Sequence, residues 1–447
     1  MNLIKHHSRS IVLLIAFFVV SGSIAADEKS PPNFLVIFID DMGYGDLSCY
    51  GNTEVKTPRI DGLAEEGTRF TSFYAQAVCG PSRGALMTGR EAYRVGGGWQ
   101  TNAEEVFISE ILKDAGYTTA CIGKWDMSKR RYQEALVPNS QGFDYFYGAL
   151  GANDRNKTTL WENRNELRTT ENMADLTKLL TDKSIEFLEK NKDEPFFLYL
   201  SQIMMHVVID ASPKFRDSTG KGLYADTLAE LDSEVGRLLD KLKELGLAEN
   251  TLVLFLSDNG PWSNDHKNQH RKNAAFVEWT KGPEIPWGSP GQLRGGKAET
   301  WEGGMRVPGI VRWPGHVPKG RENSAIISSL DILPTFAALA GVPEKVPKDR
   351  IIDGVDQSQL LLGKTEIGAR NELRYYFREE LQAVRQGPWK LRLPGIKALS
   401  TAMGNIDPGT QEAELYNLEN DIGETTNLAD KHPEIVARLL KAARNVE

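Results

Sequence analysis

The chain contains several runs of consecutive apolar, often β-branched residues that end abruptly at polar ones. Runs without alternating polar positions are typical of strands buried on both faces of a parallel sheet. They cover residues 34–39, 118–122, 195–200 and 251–256. Helical patterns lie between them, at 109–115 and, as a long amphipathic stretch, at 224–245. Strands that alternate with helices predict an α/β fold with a central parallel or mixed sheet flanked by helices.

The pattern changes toward the C-terminus, where short alternating segments replace the long runs. Residues 374–378 and 381–393 predict the strands of a hairpin, and residues 433–443 predict a closing helix. We therefore expect a catalytic region over 33–366 and a small C-terminal α+β subdomain over 367–447, packed on the larger one.

The first residues have the form of a secretory signal. Lys5 and Arg9 precede an apolar stretch over 11–20, and small residues follow it. This order predicts a signal peptide over 1–25 with cleavage after Ala25. The apolar stretch has about half the length of a helix that crosses a bilayer, and no cysteine stands at the cleavage point to carry a lipid. We therefore expect an exported protein, periplasmic or secreted, without a membrane anchor.

Charge and cysteine content restrict the partners and the chemistry. The chain has 53 Lys and Arg residues against 61 Asp and Glu residues, a net charge of −8. This balance disfavours nucleic acid as a partner, because phosphates call for a broad basic surface, whereas a small anionic substrate needs only a local cluster of cations. Three cysteines, Cys49, Cys79 and Cys121, leave at least one unpaired. Either all three are buried thiols, or Cys79 has a separate function.

Polar oxygens follow two of the predicted parallel strands. Asp40 and Asp41 come directly after one strand, and Asp258 and Asn259 come after another. The carboxyl ends of parallel strands meet at one edge of a sheet, where ligands bind. Three carboxylates gathered there would repel one another unless a cation lay between them, and oxygen ligands favour Ca²⁺, with Mg²⁺ second. Each pair alone could simply cap the following segment; together the pairs predict a metal site.

Cys79 begins the segment Cys-Gly-Pro-Ser-Arg, and a short helical stretch over 84–90 follows. Pro81 fits the first turn of a helix, so we expect Cys79 at a helix N-terminus, where free N–H groups attract an anion. Arg83 lies one turn further on and can add charged donors. The bare pattern C-x-P-x-R occurs often by chance, but its extension through Arg90 is far more specific.

With these motifs the sequence resembles the type I, formylglycine-dependent sulfatases of the alkaline phosphatase superfamily, from Asn33 to about Ala429. The motifs lie at residues 34–45, 57–61, 79–90, 123–125, 257–260, 293–297, 301–308 and 415–419. Their joint order is difficult to obtain by chance. The resemblance implies an alkaline-phosphatase-like fold and the hydrolysis of sulfate esters.

The resemblance also implies the nucleophile and the metal ligands. Cys79 would be oxidised to formylglycine by a maturation enzyme, a transient partner. A hydrated aldehyde carries two hydroxyls: one attacks sulfur, and the other later loses its proton so that the carbon expels sulfate, an exit that plain serine or cysteine lacks. Calcium would polarise the sulfate oxygens. Its ligands would be Asp40, Asp41, Asp258, Asn259 and the modified Cys79.

The remaining catalytic positions follow from the same resemblance. Arg83, Lys124 and Lys297 would bind the sulfate oxygens and offset charge that develops in the transition state. His206 follows a predicted strand, where the family has a histidine that acts as general acid or sulfate ligand. One position departs from the family: after Gly-Lys-Trp, where histidine is usual, this chain has Asp126. A carboxylate can accept a proton but cannot donate to sulfate, so Asp126 either accepts a proton or contacts a sugar hydroxyl, and we favour the second.

The substrate is expected to be recognised by a long loop over 260–294. Rings that stack on a pyranose and cations that meet further sulfates favour a sulfated carbohydrate; the alternative is that the tryptophans fold onto the domain. The loop residues singled out are Trp262, His266, His270 and Arg271. Two other functions stay open: hydrolysis of a phosphate or phosphonate ester, and non-catalytic binding of a sulfated glycan, which only Asp126 suggests.

Overall fold

The computed structural model describes residues 31–262 except 98 and 155, residues 288–396 and residues 409–444, together with the backbone of 399–400 and 406–407. The expected signal peptide over 1–25 therefore lies outside the described residues. Among the helices that are described, none combines the length and the apolar character needed to cross a membrane.

The apolar runs of the sequence form the centre of a large sheet. Its strands are β1 (Asn33–Ile39), β2 (Thr68–Tyr74), β3 (Thr118–Lys124), β4 (Tyr145–Ala149), β5 (Thr158–Glu162), β6 (Asn165–Thr170), β7 (Phe196–Gln202), β8 (Thr251–Ser257), β9 (Arg306–Arg312), β10 (Arg321–Asn323) and β11 (Ile327–Ser328). Within the described chain their order is β10–β2–β9–β8–β1–β7–β3–β4–β5–β6, with β11 beside β2. All four strands expected from the apolar runs are present.

Five neighbouring strands, β8, β1, β7, β3 and β4, are parallel, and antiparallel pairs extend the sheet on both sides. The sheet is therefore mixed with a parallel centre. In its register Ile39 lies beside both Gln202 and Ser257. The residues that follow β1, β7 and β8 consequently leave the sheet at the same edge.

Helices cover both faces of the sheet, which explains why the central strands show no polar alternation. The helices are α1 (Pro58–Glu65), α2 (Cys79–Thr88), α3 (Ile108–Asp114), α4 (Leu176–Lys190), α5 (Leu223–Glu244), α6 (Glu302–Met305), α7 (Ile332–Leu339), α8 (Ser358–Leu361) and α9 (Pro433–Arg444). The odd-numbered residues of β1, from Leu35 to Ile39, join an apolar core with α1, α4 and α5. The even-numbered ones, from Phe34 to Phe38, join a second core with α2, α3 and α7.

A smaller antiparallel sheet follows near the C-terminus. Its strands are β12 (Glu372–Phe377), β13 (Glu380–Gln386), β14 (Trp389–Arg392) and β17 (Glu414–Asn417), and a separate pair consists of β15 (Leu399–Ser400) and β16 (Ile406–Asp407). The segment 381–393 forms two strands rather than one arm of a hairpin, because the chain reverses at Gly387 (φ 55°) and pairs Gln386 with Trp389. Helix α9 packs on this sheet through Leu439.

Candidate active site

Four adjacent parallel strands deliver most of the expected site residues to one edge of the main sheet. The strand order β8–β1–β7–β3 places their carboxyl ends side by side. The residues delivered are Asp258 and Asn259 after β8, Asp40 and Asp41 after β1, His206 after β7 and Lys124 at the end of β3. Each of these side chains is at most 2% exposed. The edge is therefore a buried polar centre, where charges interact more strongly than in water.

The carboxylates of Asp40, Asp41 and Asp258 form a group that could hold a metal ion, since one oxygen from each lies within 4.8 Å of the others. Asn259 joins them by donating from Nδ2 to Asp41 Oδ1 at 2.7 Å. Asp40 Oδ1 and Asn259 Oδ1 are buried and have no hydrogen-bond partner among the described residues. Buried polar atoms rarely lack partners, and oxygens of this kind suit a hard cation such as Ca²⁺ or Mg²⁺. The four residues thus fit a metal centre.

Cys79 is the first residue of α2, so it stands at a helix N-terminus as expected. Its side chain is buried, and its Sγ lies 3.6 Å from Lys297 Nζ. Sγ also groups with ligand atoms of Asp40 and His206, all within 4.8 Å of one another. Burial raises the pKa of the Cys79 thiol to about 12, despite the opposing charges of Lys124 and Lys297. An unmodified thiol here is protonated at neutral pH and is therefore a weak nucleophile.

Three buried cations face the three carboxylates. The pairs are Arg83 with Asp258 at 2.7 Å, Lys124 with Asp40 at 2.6 Å and Lys297 with Asp41 at 2.7 Å. Burial alone would raise the pKa of Asp40, but Lys124 and the neighbouring cations hold it well below its usual range. The negative charge of Asp40 in turn raises the pKa of Lys124, against the effect of burial. The three cations therefore remain charged at neutral pH beside Cys79.

His206 is placed by a short polar network next to this centre. Its Nδ1 lies 3.1 Å from Asn153 Oδ1, which leaves Nε2 directed at the site, 3.7 Å from Asp41 Oδ2 and 3.5 Å from Asp154 Oδ1. Burial, together with the positive charge of Lys297, lowers the pKa of His206 well below its ordinary value. The imidazole is consequently neutral at neutral pH and can exchange a proton through Nε2.

Asp126 lies among cations of the protein, and its expected contact with a sugar hydroxyl stays a prediction. The side chain is fully buried, and its oxygens are taken by cations of the protein. Arg130 donates from Nε to Asp126 Oδ1 at 2.8 Å and from Nη2 to Oδ2 at 3.3 Å, and Lys124 Nζ lies 3.4 Å from Oδ2. Arg130, whose side chain is 32% exposed, stands on the accessible side of the pair. No motif marked Arg130; the spacing of four from Asp126 is the only signal in the sequence.

Trp262 is the one expected loop residue that the structure describes. It is 4% exposed, and Lys297 Nζ lies 5.0 Å from its ring centroid. The described geometry makes Trp262 a neighbour of Lys297, and its contact with a sugar stays a prediction. His266, His270 and Arg271 lie outside the described residues.

The loop that carries Lys297 is fixed from two sides, one of them the C-terminal sheet. Its backbone N–H groups donate to main-chain oxygens near the site, Lys297 to Pro261 at 2.9 Å and Ala298 to Ala77 at 2.8 Å. Lys390, a fully buried residue of β14, donates from Nζ to the Thr300 carbonyl oxygen at 2.9 Å. No local pattern predicts this contact, because it joins a strand of the C-terminal sheet to a loop residue ninety positions away.

Three carboxylates that could hold a metal ion and three fixed cations surround one helix N-terminus at the edge of a parallel sheet. This arrangement suits a hydrolase that acts on esters of an anionic group. The chain matches the family model described as Sulfatase over residues 32–342, and the one described as N-sulphoglucosamine sulphohydrolase, C-terminal, over residues 296–446. Arylsulfatase G of Rattus norvegicus is 33% identical over 95% of this chain and 88% of its own length.

Solved structures are also similar to this chain over most of its length. One, described under the metabolism of multiple glycosaminoglycans by Bacteroides thetaiotaomicron, has a TM-score of 0.82 and 29% identity, covering 93% of this chain and 99% of its own. Another, Ps i-CgsB in complex with k-i-k-neocarrahexaose, has a TM-score of 0.73 and 29% identity, with 93% and 92% covered. The chain belongs to the sulfatase family, and it is an enzyme that hydrolyses sulfate esters.

Proposed function

We propose that this sulfatase removes sulfate from a sulfated carbohydrate, with a formylglycine made from Cys79 as nucleophile and Ca²⁺ as metal. The observation that carries the proposal is the position of Cys79. It starts a helix, lies beside the carboxylate group and is flanked by Lys124 and Lys297. A residue there meets both the metal ligands and the cations suited to a sulfate.

The need to release sulfate favours a modified residue over a free thiol. Attack by an unmodified Cys79 would end in a covalent intermediate with no exit. A formylglycine hydrate supplies a hydroxyl nucleophile and a route for releasing sulfate without leaving a stable ester. The maturation enzyme that makes it is part of the proposal.

The cations give the sulfate group its position. Arg83 is held rigidly by Asp258, by the Lys124 carbonyl oxygen at 3.0 Å and by Ser201. The charges of Lys124 and Lys297 also act on the Cys79 position, and Lys297 Nζ lies 3.6 Å from Cys79 Sγ. Fixed donors of this kind stabilise charge that develops on sulfate oxygens without reorganising during the reaction.

The metal and the histidine complete the proposed assignment. Asp40, Asp41, Asp258 and Asn259 would hold Ca²⁺, with Mg²⁺ less suited to a set of protein oxygens, and the bound ion would polarise the sulfate. His206 has Nδ1 facing the oxygens of Asn153 and Val207 and Nε2 facing the site, so Nε2 can take up a proton and then pass it to the leaving oxygen. Asp126 is assigned no proton transfer, because its oxygens are paired with Arg130 and Lys124.

The carbohydrate substrate is supported by solved relatives and by the export that the N-terminal pattern predicts. One solved relative is described with glycosaminoglycan metabolism and another was solved with a neocarrahexaose. The N-terminal pattern over 1–25 supports an exported protein, which would meet such polymers outside the cytoplasm.

Parallel assays of an aryl sulfate and the matching aryl phosphate test the reaction type. The protein should be coexpressed with a formylglycine-generating enzyme and compared with Cys79→Ser. We expect turnover of the sulfate at least about 100-fold faster than turnover of the phosphate, and loss of both activities in Cys79→Ser. A preference for the phosphate, or an active Cys79→Ser prepared without modification, would contradict the proposal.

A further inference from the structure

Arg130 is connected to both sides of the active site by ion pairs. Besides its two bonds to Asp126, it donates from Nη1 to Asp154. Asp154 in turn lies 3.5 Å from His206 Nε2. A continuous chain of polar contacts therefore runs from Lys124 through Asp126, Arg130 and Asp154 to His206. Its two ends are residues of the candidate active site.

The backbone holds Arg130 in this position at some cost. Asp126, Lys129 and Arg130 have φ angles of 56°, 52° and 58°, a left-handed conformation that non-glycine residues rarely adopt. Conformations of this kind persist where the surroundings demand them, and they concentrate at functional sites. The turn is tied down by Lys129 N–H, which donates to the Trp99 carbonyl oxygen at 2.7 Å.

The surroundings of Arg130 combine an aromatic face with polar groups. The guanidinium carbon lies 5.8 Å from the Trp99 ring centroid, and Trp99 is half-buried. The side chains of Arg130 and Asp154 are 32% and 34% exposed, in contrast to the buried groups around Cys79. Burial alone would lower the pKa of Arg130, but the negative charges of Asp126 and Asp154 raise it above its ordinary value.

We infer that Arg130 and Asp154 form a sugar-binding edge that contacts free hydroxyl groups of the pyranose next to the scissile sulfate. This inference rests on the proposed function and names residues that would contact the sugar of its substrate. Arg130 takes the position that the sequence had suggested for Asp126, while Asp126 orients Arg130.

The charge balance of the edge favours hydroxyls over a second sulfate. Arg130 already faces two carboxylates, and Lys124 with Arg130 balances Asp126 with Asp154, so the four groups carry no net positive charge to attract another anion. A sugar hydroxyl can donate to the half-exposed Asp154 carboxylate and accept from the Arg130 guanidinium. The pair thus offers both halves of a hydroxyl's hydrogen-bonding capacity.

The test compares Arg130→Lys and Arg130→Met with wild type on two probes, a monosulfated pyranoside and a small aryl sulfate, with released sulfate as readout. Arg130→Lys keeps the charge that Asp126 requires but lacks the planar fork, so it guards against a folding defect. Arg131→Met, the same change at the exposed neighbouring arginine, is the matched control.

We expect both Arg130 variants to lose roughly 10- to 100-fold in kcat/KM on the pyranoside, mainly through KM, and to stay within about threefold on the aryl sulfate. For wild type, removing the hydroxyl adjacent to the sulfate from the pyranoside should lower kcat/KM by a similar factor. For the Arg130 variants, removing the same hydroxyl should lower kcat/KM little further. Equal losses on both probes, or no loss on the pyranoside, would overturn the inference and leave the proposed function standing. A wild type that cleaves only the aryl sulfate would refute the carbohydrate substrate of the proposed function, and the inference with it. A modified wild type that cleaves neither probe would instead refute the proposed function.

Discussion

Lys390 provides a test of how the C-terminal sheet supports the active site. Its Nζ is fully buried and contacts three oxygens: the Thr300 carbonyl at 2.9 Å, Glu302 Oε1 at 3.0 Å and Glu424 Oε1 at 2.8 Å. Replacement by Met keeps the length of the side chain and removes the charge. Glu302 keeps two tyrosine donors, Tyr74 at 2.6 Å and Tyr375 at 2.8 Å, whereas Glu424 loses its buried cation.

The cost of that loss can be worked from these contacts. Removing one partner from a buried ion pair costs about 3–5 kcal/mol, a large fraction of the roughly 5–15 kcal/mol by which proteins are stable. Lys390→Met should therefore lower the free energy of unfolding by about this amount in urea denaturation, and lower kcat/KM because the Lys297 loop is less firmly held. The paired variant Lys390→Met with Glu424→Gln should recover most of the stability, since residue 424 then carries no charge and Glu302 keeps its two tyrosine donors and Arg306 at 3.5 Å.

The exposed residue Lys431 supplies the control, because Lys431→Met changes the same side chain on the surface of the C-terminal part. We expect it to alter stability by less than about 0.5 kcal/mol. If Lys390→Met cost less than about 1 kcal/mol, or if Glu424→Gln made the defect worse, Lys390 would not act as the cation of this pair. Unchanged kcat/KM in a destabilised Lys390→Met variant would show that the sheet supports the fold and not the Lys297 loop.

Two further variants probe the proposed metal centre and a buried carboxyl outside it. Asp258→Asn keeps the shape of the side chain but removes an anionic ligand and the partner of Arg83, so bound Ca²⁺, measured by elemental analysis, and sulfatase activity should fall together; full activity in chelated wild type would contradict the metal site. Burial raises the pKa of Glu91 to about 8, so the folded state holds its proton more tightly than the unfolded chain, and wild-type stability should decline as pH rises from about 5 to 9. Glu91→Gln should remove roughly 2–4 kcal/mol of that decline in denaturation midpoints compared across pH, and identical pH profiles would contradict it.

Much of the centre could be predicted because it is encoded next to regular strands. Asp40, Asp258 and Lys124 each sit where an apolar run ends, and parallel strand ends meet at one edge. Cys79 was placed at a helix N-terminus by Pro81, and the structure begins α2 at that residue. In these cases local sequence determines position directly.

The rest depends on contacts that local patterns do not specify. The pairing of Arg130 with Asp126 requires a left-handed turn between residues with no glycine to announce it. From the sequence, Lys390 would be predicted to be an ordinary lysine on a strand. Its buried pairing with Glu302 depends on tertiary packing. The composition of the loop leaves open whether Trp262 stacks on a sugar or packs onto the domain, and its burial beside Lys297 depends on tertiary packing.

Mass analysis of the peptide that contains Cys79 tests the central claim most directly. It should be made on the same preparation whose sulfate-ester turnover is measured, with and without a coexpressed formylglycine-generating enzyme. We predict loss of the thiol sulfur and gain of an aldehyde oxygen at Cys79, with specific activity proportional to the modified fraction. A preparation that turns over sulfate esters at full rate while Cys79 is entirely unmodified would contradict the account.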